Sequence, residues 1–175
     1  MSGLPGAGKT TASEFFIAGA KPVVRMGEVT ELQLIKKNLE TGEANESSIR
    51  QGLREKYGDD IYAKKTFSKI LKIKDTNALI IIEGIRSMAE LRYFFTRLKK
   101  HILLYIDTDR ELRHNRLKKR KKRPLKILEI ALREKYEIDV LGVTKLKEHA
   151  DYIVKNNSSK SNFFSRLENV LIDIN

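Results

Sequence analysis

The strongest constraint on this chain lies at its very start. Residues 3 to 11 read GLPGAGKTT, so Gly3, Gly8, Lys9 and Thr10 satisfy the spacing G-x-x-x-x-G-K-[ST] in full. In this pattern the backbone of residues 5 to 10 rings a phosphate with N–H groups, and its glycines take dihedrals closed to other residues. Pro5, Gly6 and Ala7 form the tight part of the loop, and Thr11 continues into a helix whose N-terminal dipole faces the anion. Lys9 is placed to reach a β- or γ-phosphate, and the Thr10 hydroxyl to ligate Mg²⁺. Such a loop normally follows a central strand, whereas only two residues precede Gly3. The expectation is therefore either a chain that begins late and lacks most of its first strand, or a sheet that does without that strand.

Beyond the loop, strands and helices alternate. Lys21 to Met26 reads as a short strand, with Pro22 tolerated near its start. Residues 28 to 57 read as helix interrupted over Thr41 to Ser48, with Leu32, Ile35 and Leu39 as one apolar face and Ile49, Leu53 and Tyr57 as another. A helix from Asp59 or Asp60 to about Leu71 turns Ile61, Phe67, Ile70 and Leu71 to one side. Ala78 to Ile82 and His101 to Ile106 are uninterrupted apolar runs, the signature of strands covered on both faces. Helices over Met88 to Leu98, from Asp109 to a break at Pro124, and over Leu125 to Ile138 precede a last strand at Asp151 to Val154. Phe163, Leu167, Val170 and Leu171 face inward from a closing helix. The order predicts an α/β domain with a parallel sheet.

Composition narrows the chemistry. The 175 residues contain no cysteine, which excludes disulfides, thiolate metal sites and a cysteine nucleophile. His101, His114 and His149 have no partners at metal-ligand spacing. No run approaches 18 apolar residues and no signal-peptide core is present, so a cytoplasmic protein without membrane contact is expected. The formal charge of +12 is local. Arg113 to Arg123 holds eight basic residues and no acidic one, leaving about +4 elsewhere. An anion is expected at that place, a phosphate cluster or a nucleic-acid backbone.

Arg113, Arg116 and Arg120 fall at helical intervals on one face, suited to neutralising a phosphoryl group in transfer, or forming a solvated helix face. Glu83 ends an apolar strand, where ligands of parallel sheets bind; it holds a magnesium-bound water or caps a helix. Arg86, three residues on, clamps a phosphate or lies on the surface. Asp107 reads first as a helix cap, then as an ion-pair partner, and last as a magnesium ligand.

Together with RMGEV (25–29), LREKYGDDIYAKKT (53–66), IIEGIRSMAEL (81–91) and ADYIVKN (150–156), these motifs make the chain resemble the nucleoside monophosphate kinase group. It is most similar to an archaeal adenylate-kinase-related branch often called dephospho-coenzyme-A-kinase-like. The resemblance implies a single P-loop domain over 1–175 with sheet order 2-3-1-4-5. It also implies an acceptor-binding helical region at about 27–65 and a lid at about 115–130. It implies ATP with Mg²⁺ as donor and a nucleotide-like acceptor, adenosine monophosphate and dephospho-coenzyme A both remaining open. Gly27, Glu28, Arg54, Tyr57, Gly84 and Arg86 would then bind the acceptor, and Asn156 would border the donor's adenine. Two departures stand out: Glu31 occupies the position of an acceptor-binding arginine, and Arg133 to Tyr136 replaces a lid motif R-D-R. A nucleotide-binding protein or slow ATPase, and a nucleic-acid-associated NTPase, are the other readings.

Overall fold

The computed structural model describes residues 1–73, 79–121 and 123–174. Helix α1 (Lys9–Ala18) leaves the glycine loop, and β1 (Val23–Arg25) succeeds it. Helices α2 (Glu28–Lys36), α3 (Glu43–Tyr57) and α4 (Ile61–Ile70) then form one excursion. Next come β2 (Ile81–Glu83), α5 (Met88–Phe95), β3 (Leu104–Asp107), α6 (Arg110–Lys119) and α7 (Ile127–Lys135). A π-turn at Tyr136–Val140 and a 3₁₀ turn at Val143–Lys147 lead to β4 (Tyr152–Lys155) and α8 (Lys160–Ile174).

Both strand pairs are parallel. β1 pairs with β2, Val24 opposite Ile82, and β3 pairs with β4, Tyr105 opposite Ile153. These are two two-stranded sheets rather than one continuous ladder. Ser2 joins them through isolated parallel bridges to Ile85 and to Tyr105. Its N–H donates to the Leu104 carbonyl at 2.8 Å, its carbonyl accepts from Ile106 N–H at 3.0 Å, and its hydroxyl donates to the Ile85 carbonyl at 2.7 Å.

The sheets separate two apolar cores. One gathers Met26, Ile61, Tyr62, Phe94, Leu103 and Leu146; the other gathers Phe16, Ile106, Val154, Phe163 and Leu167 under α1 and α8. Phe94 and Phe163 are almost wholly enclosed, and truncating either to alanine costs about 3–5 kcal/mol. β3 fits its expectation, with Leu104, Tyr105 and Ile106 all buried. The run before Glu83 is paired only over its last residues, and Ala78 lies outside the described residues.

Three local expectations are corrected. Helix α3 begins at Glu43, inside the polar stretch expected as a break, because Glu43 and Glu46 form ion pairs with arginines instead of facing water. On α2 the apolar stripe is turned outward: Leu32 and Ile35 are exposed while Val29, Thr30 and Leu34 are buried. Leu71 likewise lies exposed beyond the end of α4.

Candidate functional site

The glycine loop is shaped by what stands behind it. Gly6 has φ +79° and a Cβ there would lie 2.5 Å from the Arg113 carbonyl; Gly8 has φ +107° and a Cβ would collide with the Asn156 side-chain amide. No other residue type fits either place. The Ala7 carbonyl accepts from Asn156 Nδ2 at 2.8 Å and from the Thr108 hydroxyl at 2.9 Å. Arg113 is buried, donating to the carbonyls of Thr108 (3.0 Å) and Pro5 (3.3 Å) and pairing with Glu134 at 2.6 Å.

Arg113 and Asn156, expected as a catalytic arginine and an adenine contact, are therefore placed behind the loop, and neither lines the cleft. The ring of donors is also smaller than expected. Pro5 has no N–H, and the Ala7 N–H is taken by the Leu4 carbonyl at 3.1 Å. The remaining donors are the Gly6 N–H and those from Gly8 onward at the head of α1, which a helix leaves without partners in its first turn. Gly3 and Ala7 support the loop from inside, while Pro5, Gly6, Gly8, Lys9, Thr10 and Thr11 line a cleft of about 500 Å³.

Lys9 Nζ folds onto its own loop, donating to the carbonyls of Gly3 and Leu4, the latter at 3.0 Å. Burial, seconded by Arg86, lowers its pKa to about 8 although Glu137 and Glu83 pull the other way. Opposite, the Thr10 hydroxyl donates to Glu83 Oε1 at 3.4 Å and the Ser13 hydroxyl to Oε2 at 2.8 Å. Among the described residues no group of three His, Cys, Asp or Glu could enclose a metal. Thr10 and Glu83 supply hard oxygen atoms at one point, so a divalent cation fits there if a ligand's phosphate oxygens complete its shell.

One wall of the cleft carries the least expected feature. Glu83 lies 3.5 Å from Arg25, which pairs with Glu31 at 3.2 Å; Glu31 lies 3.5 Å from Arg123, which pairs with Glu46 at 2.7 Å. Glu46 pairs with Arg50 at 3.3 Å, and Arg50 with Glu43. Glu43 pairs with Arg133 at 3.0 Å, Arg133 with Glu137 at 3.3 Å, and Glu137 with Arg86 at 3.2 Å. This alternating belt leaves the end of β2 at Glu83 and returns to the same loop at Arg86. Burial alone would raise the Glu137 carboxyl, but Arg86 and Arg133 outweigh it and hold it at about 2.

Arg54 stands inside the belt, its guanidinium 2.8 Å from Glu90 and 4.5 Å over the Tyr62 ring. Glu90 is fixed by the start of α5: Ser87 caps that helix, accepting from Glu90 N–H at 3.2 Å, while Glu90 accepts from Arg86 N–H at 2.7 Å.

Of the residues expected at the acceptor, Gly27, Gly84, Arg54 and Arg86 line the cleft. Glu28 and Tyr57 do not. Glu28 pairs with Lys69, and Tyr57 is half exposed on the far side of α3. Arg25, Arg50, Tyr62, Arg123 and Arg133 are the lining residues that sequence reasoning missed. The spacing of Glu43, Glu46, Arg50 and Arg54 along one helix face was the available signal.

Arg116 and Arg120 enter the cleft from the C-terminal end of α6, where the exposed Lys118, Lys119 and Lys121 do not. Arg116 donates to the Asn156 carbonyl at 2.8 Å. Asp107 pairs with Lys147 at 2.9 Å, the second of the three roles weighed for it. A second, largely apolar hollow of about 490 Å³ between α3, α7 and the π-turn shares Arg50, Arg86 and Arg133 with the cleft. No helix among the described residues is long and apolar enough to cross a membrane.

The chain belongs to the family described as AAA domain, which matches residues 1–139, and to the archaeal UPF0200 proteins. A UPF0200 protein of Methanocaldococcus jannaschii is 31% identical over 99% of this chain and 88% of its own length. A UPF0200/UPF0201 protein of Archaeoglobus fulgidus is 30% identical over 98% of this chain, which spans only 54% of that relative's length. Among solved structures, TT1252 from Thermus thermophilus superposes with a TM-score of 0.64 at 16% identity, covering 99% of this chain and 95% of that one. Shikimate kinase from Acinetobacter baumannii superposes with a TM-score of 0.59 at 16% identity, covering 98% and 90%. These likenesses establish an α/β P-loop kinase-like fold.

Proposed function

We propose that this protein transfers the γ-phosphoryl group of ATP to a small-molecule acceptor. The observation that carries the reading is a division of the cleft. Lys9, Arg116 and Arg120 meet no carboxylate within ion-pair distance among the described residues, and all three line the cleft that holds the glycine loop. Loop amides and Lys9 would hold the β- and γ-phosphates, and the lid arginines would neutralise the equatorial oxygens as the group moves. Magnesium, held by Thr10 with Glu83 behind it, would neutralise charge on the same phosphates. Arg86 and Arg54, on the opposite wall, would orient the acceptor.

The Ser2 bridges support reading the two sheets as one order, 2-3-1-4-5, with residues 1–2 in its centre, and residues 1–175 as one domain with its lid at about 115–130. Use of ATP would place the protein in the cytoplasm. A nucleotide-like acceptor is what the family resemblance implies. One observation favours the second reading, a nucleotide-binding protein or slow ATPase: Arg123 is tied by ion pairs to Glu31 and Glu46 rather than left free for a transferring phosphoryl group.

The test is to titrate the protein with ATP and Mg²⁺ in the presence of acceptors, monitoring ADP release and phosphorylated product together. Acceptor-dependent release that vanishes in Lys9→Ala and Arg86→Ala supports the kinase. ADP without phosphorylated acceptor supports the ATPase, and tight ATP binding without turnover a nucleotide-binding protein without catalysis.

A further inference from the structure

Resting on that phosphoryl-transfer reading, we infer that the acceptor is a polyhydroxylated small molecule with at most one anionic group, a sugar- or cyclitol-like compound phosphorylated on a hydroxyl.

The charges in the cleft are partitioned. The unpaired cations, Lys9, Arg116 and Arg120, all lie on the donor and lid side. On the acceptor side each of Arg25, Arg50, Arg54, Arg86, Arg123 and Arg133 has a glutamate partner. Those partners are Glu31, Glu43, Glu46, Glu83, Glu90 and Glu137, so six guanidinium groups face six carboxylates. Four of those carboxylates, Glu31, Glu46, Glu83 and Glu90, line the cleft together with the six arginines, so a ligand with several negative charges would compete with them for the same guanidinium groups. Drawing an arginine away would leave a glutamate such as Glu137 or Glu43, each under a tenth exposed, without its partner.

A hydroxyl is donor and acceptor at once, so each link of an alternating guanidinium–carboxylate wall offers it both partners. The wall also holds an unmet donor. Arg54 Nε is buried with no hydrogen-bond partner, on a side chain 4% exposed that lines the cleft. A hydroxyl oxygen would satisfy it. A nucleobase, by contrast, presents two flat apolar faces. The apolar side chains lining the cleft are Pro5, Met26, Leu117 and the Tyr62 ring, one face of which Arg54 covers.

In the reaction the acceptor oxygen forms a bond to the γ-phosphorus and the bond from that phosphorus to the β-phosphate bridging oxygen breaks. ADP leaves, and the hydroxyl proton passes to an oxygen of the transferred group and from there to water.

The test measures ADP release and phosphorylated product by the full chain with ATP and Mg²⁺. The panel holds myo-inositol, D-gluconate and D-glucuronate, the four common nucleoside monophosphates, and fructose 1,6-bisphosphate. At least one of the first three is expected to raise ADP release tenfold or more with matching product, the others less than twofold. Greater stimulation by a nucleoside monophosphate or the bisphosphate overturns the inference, as does no stimulation by any of the first three. Glu31→Gln and Glu46→Gln remove negative charge from the wall and are expected to tighten AMP binding about tenfold; unchanged AMP affinity in both overturns it as well. A protein that fails to bind ATP refutes the phosphoryl-transfer reading itself, whereas turnover that prefers AMP refutes only the acceptor class.

Discussion

The side-chain amide of Asn156 donates to the carbonyl of Ala7 at 2.8 Å, so the residue after the last strand holds the first loop of the chain in shape. The contact spans 149 positions in sequence and fills the space that a side chain on Gly8 would need. Asn156→Ala removes one of two hydrogen bonds to that carbonyl, the other coming from Thr108. The expected loss is about 1 kcal/mol, or roughly 2–4 °C in Tm, with weaker ATP binding. An unchanged ATP affinity in calorimetry would show that the loop keeps its form without this buttress.

Two glycines should respond in opposite directions. Gly6→Ala places a methyl 2.5 Å from a backbone carbonyl at positive φ and is expected to cost about 3 kcal/mol and abolish ATP binding. Gly52, exposed in the middle of α3 with nothing within 4 Å of its Cβ position, should gain about 0.5–1 kcal/mol as Gly52→Ala. Thermal unfolding of both variants reads the contrast.

Lys9 titrates near pH 8 because burial and Arg86 disfavour its charge. A bound triphosphate favours the charged form, so ATP binding above pH 8 takes up a proton and weakens by up to tenfold per pH unit. Calorimetry at pH 8.5 in two buffers of different ionisation enthalpy measures that proton directly. Equal heats in both would contradict the depressed lysine.

Glu137 behaves oppositely. Its carboxyl is held at about 2, below its ordinary value of 4.5, so its stabilisation is complete above pH 4.5 and is lost as pH falls towards 2. Glu137→Gln leaves Arg86 and Arg133 with one carboxylate fewer and should cost about 3–5 kcal/mol at neutral pH. The same variant should lose less further stability between pH 4.5 and 2 than the unaltered protein, a difference that urea unfolding at several pH values resolves.

The glycine loop and the alternation of strands and helices were legible because their signals are local. Gly3 to Thr10 has a fixed spacing, and the apolar run of β3 can only be a covered strand. The belt was hidden for the opposite reason. Its links join residues far apart in the chain, Glu43 and Arg133 by 90 positions among them, and polar residues in sequence read as facing water. Thr41 to Ser48 looked like a loop because nothing local shows that Glu43 and Glu46 meet arginines. Arg113 shared a helical face with Arg116 and Arg120, yet one turn of helix separates a buttress behind the loop from a side chain inside the cleft.

The alternating belt also constrains how the sequence can drift. Each of its inner members serves two neighbours of opposite sign, so a single replacement strands charge on both sides at once. Tolerated changes should come in pairs, an arginine and an adjoining glutamate exchanged or neutralised together. In an inheritance of many small steps such a ring acts as a lock. Lineages that share it would diverge freely on the outer faces of α2 and α7 while holding the belt's ten positions as a unit.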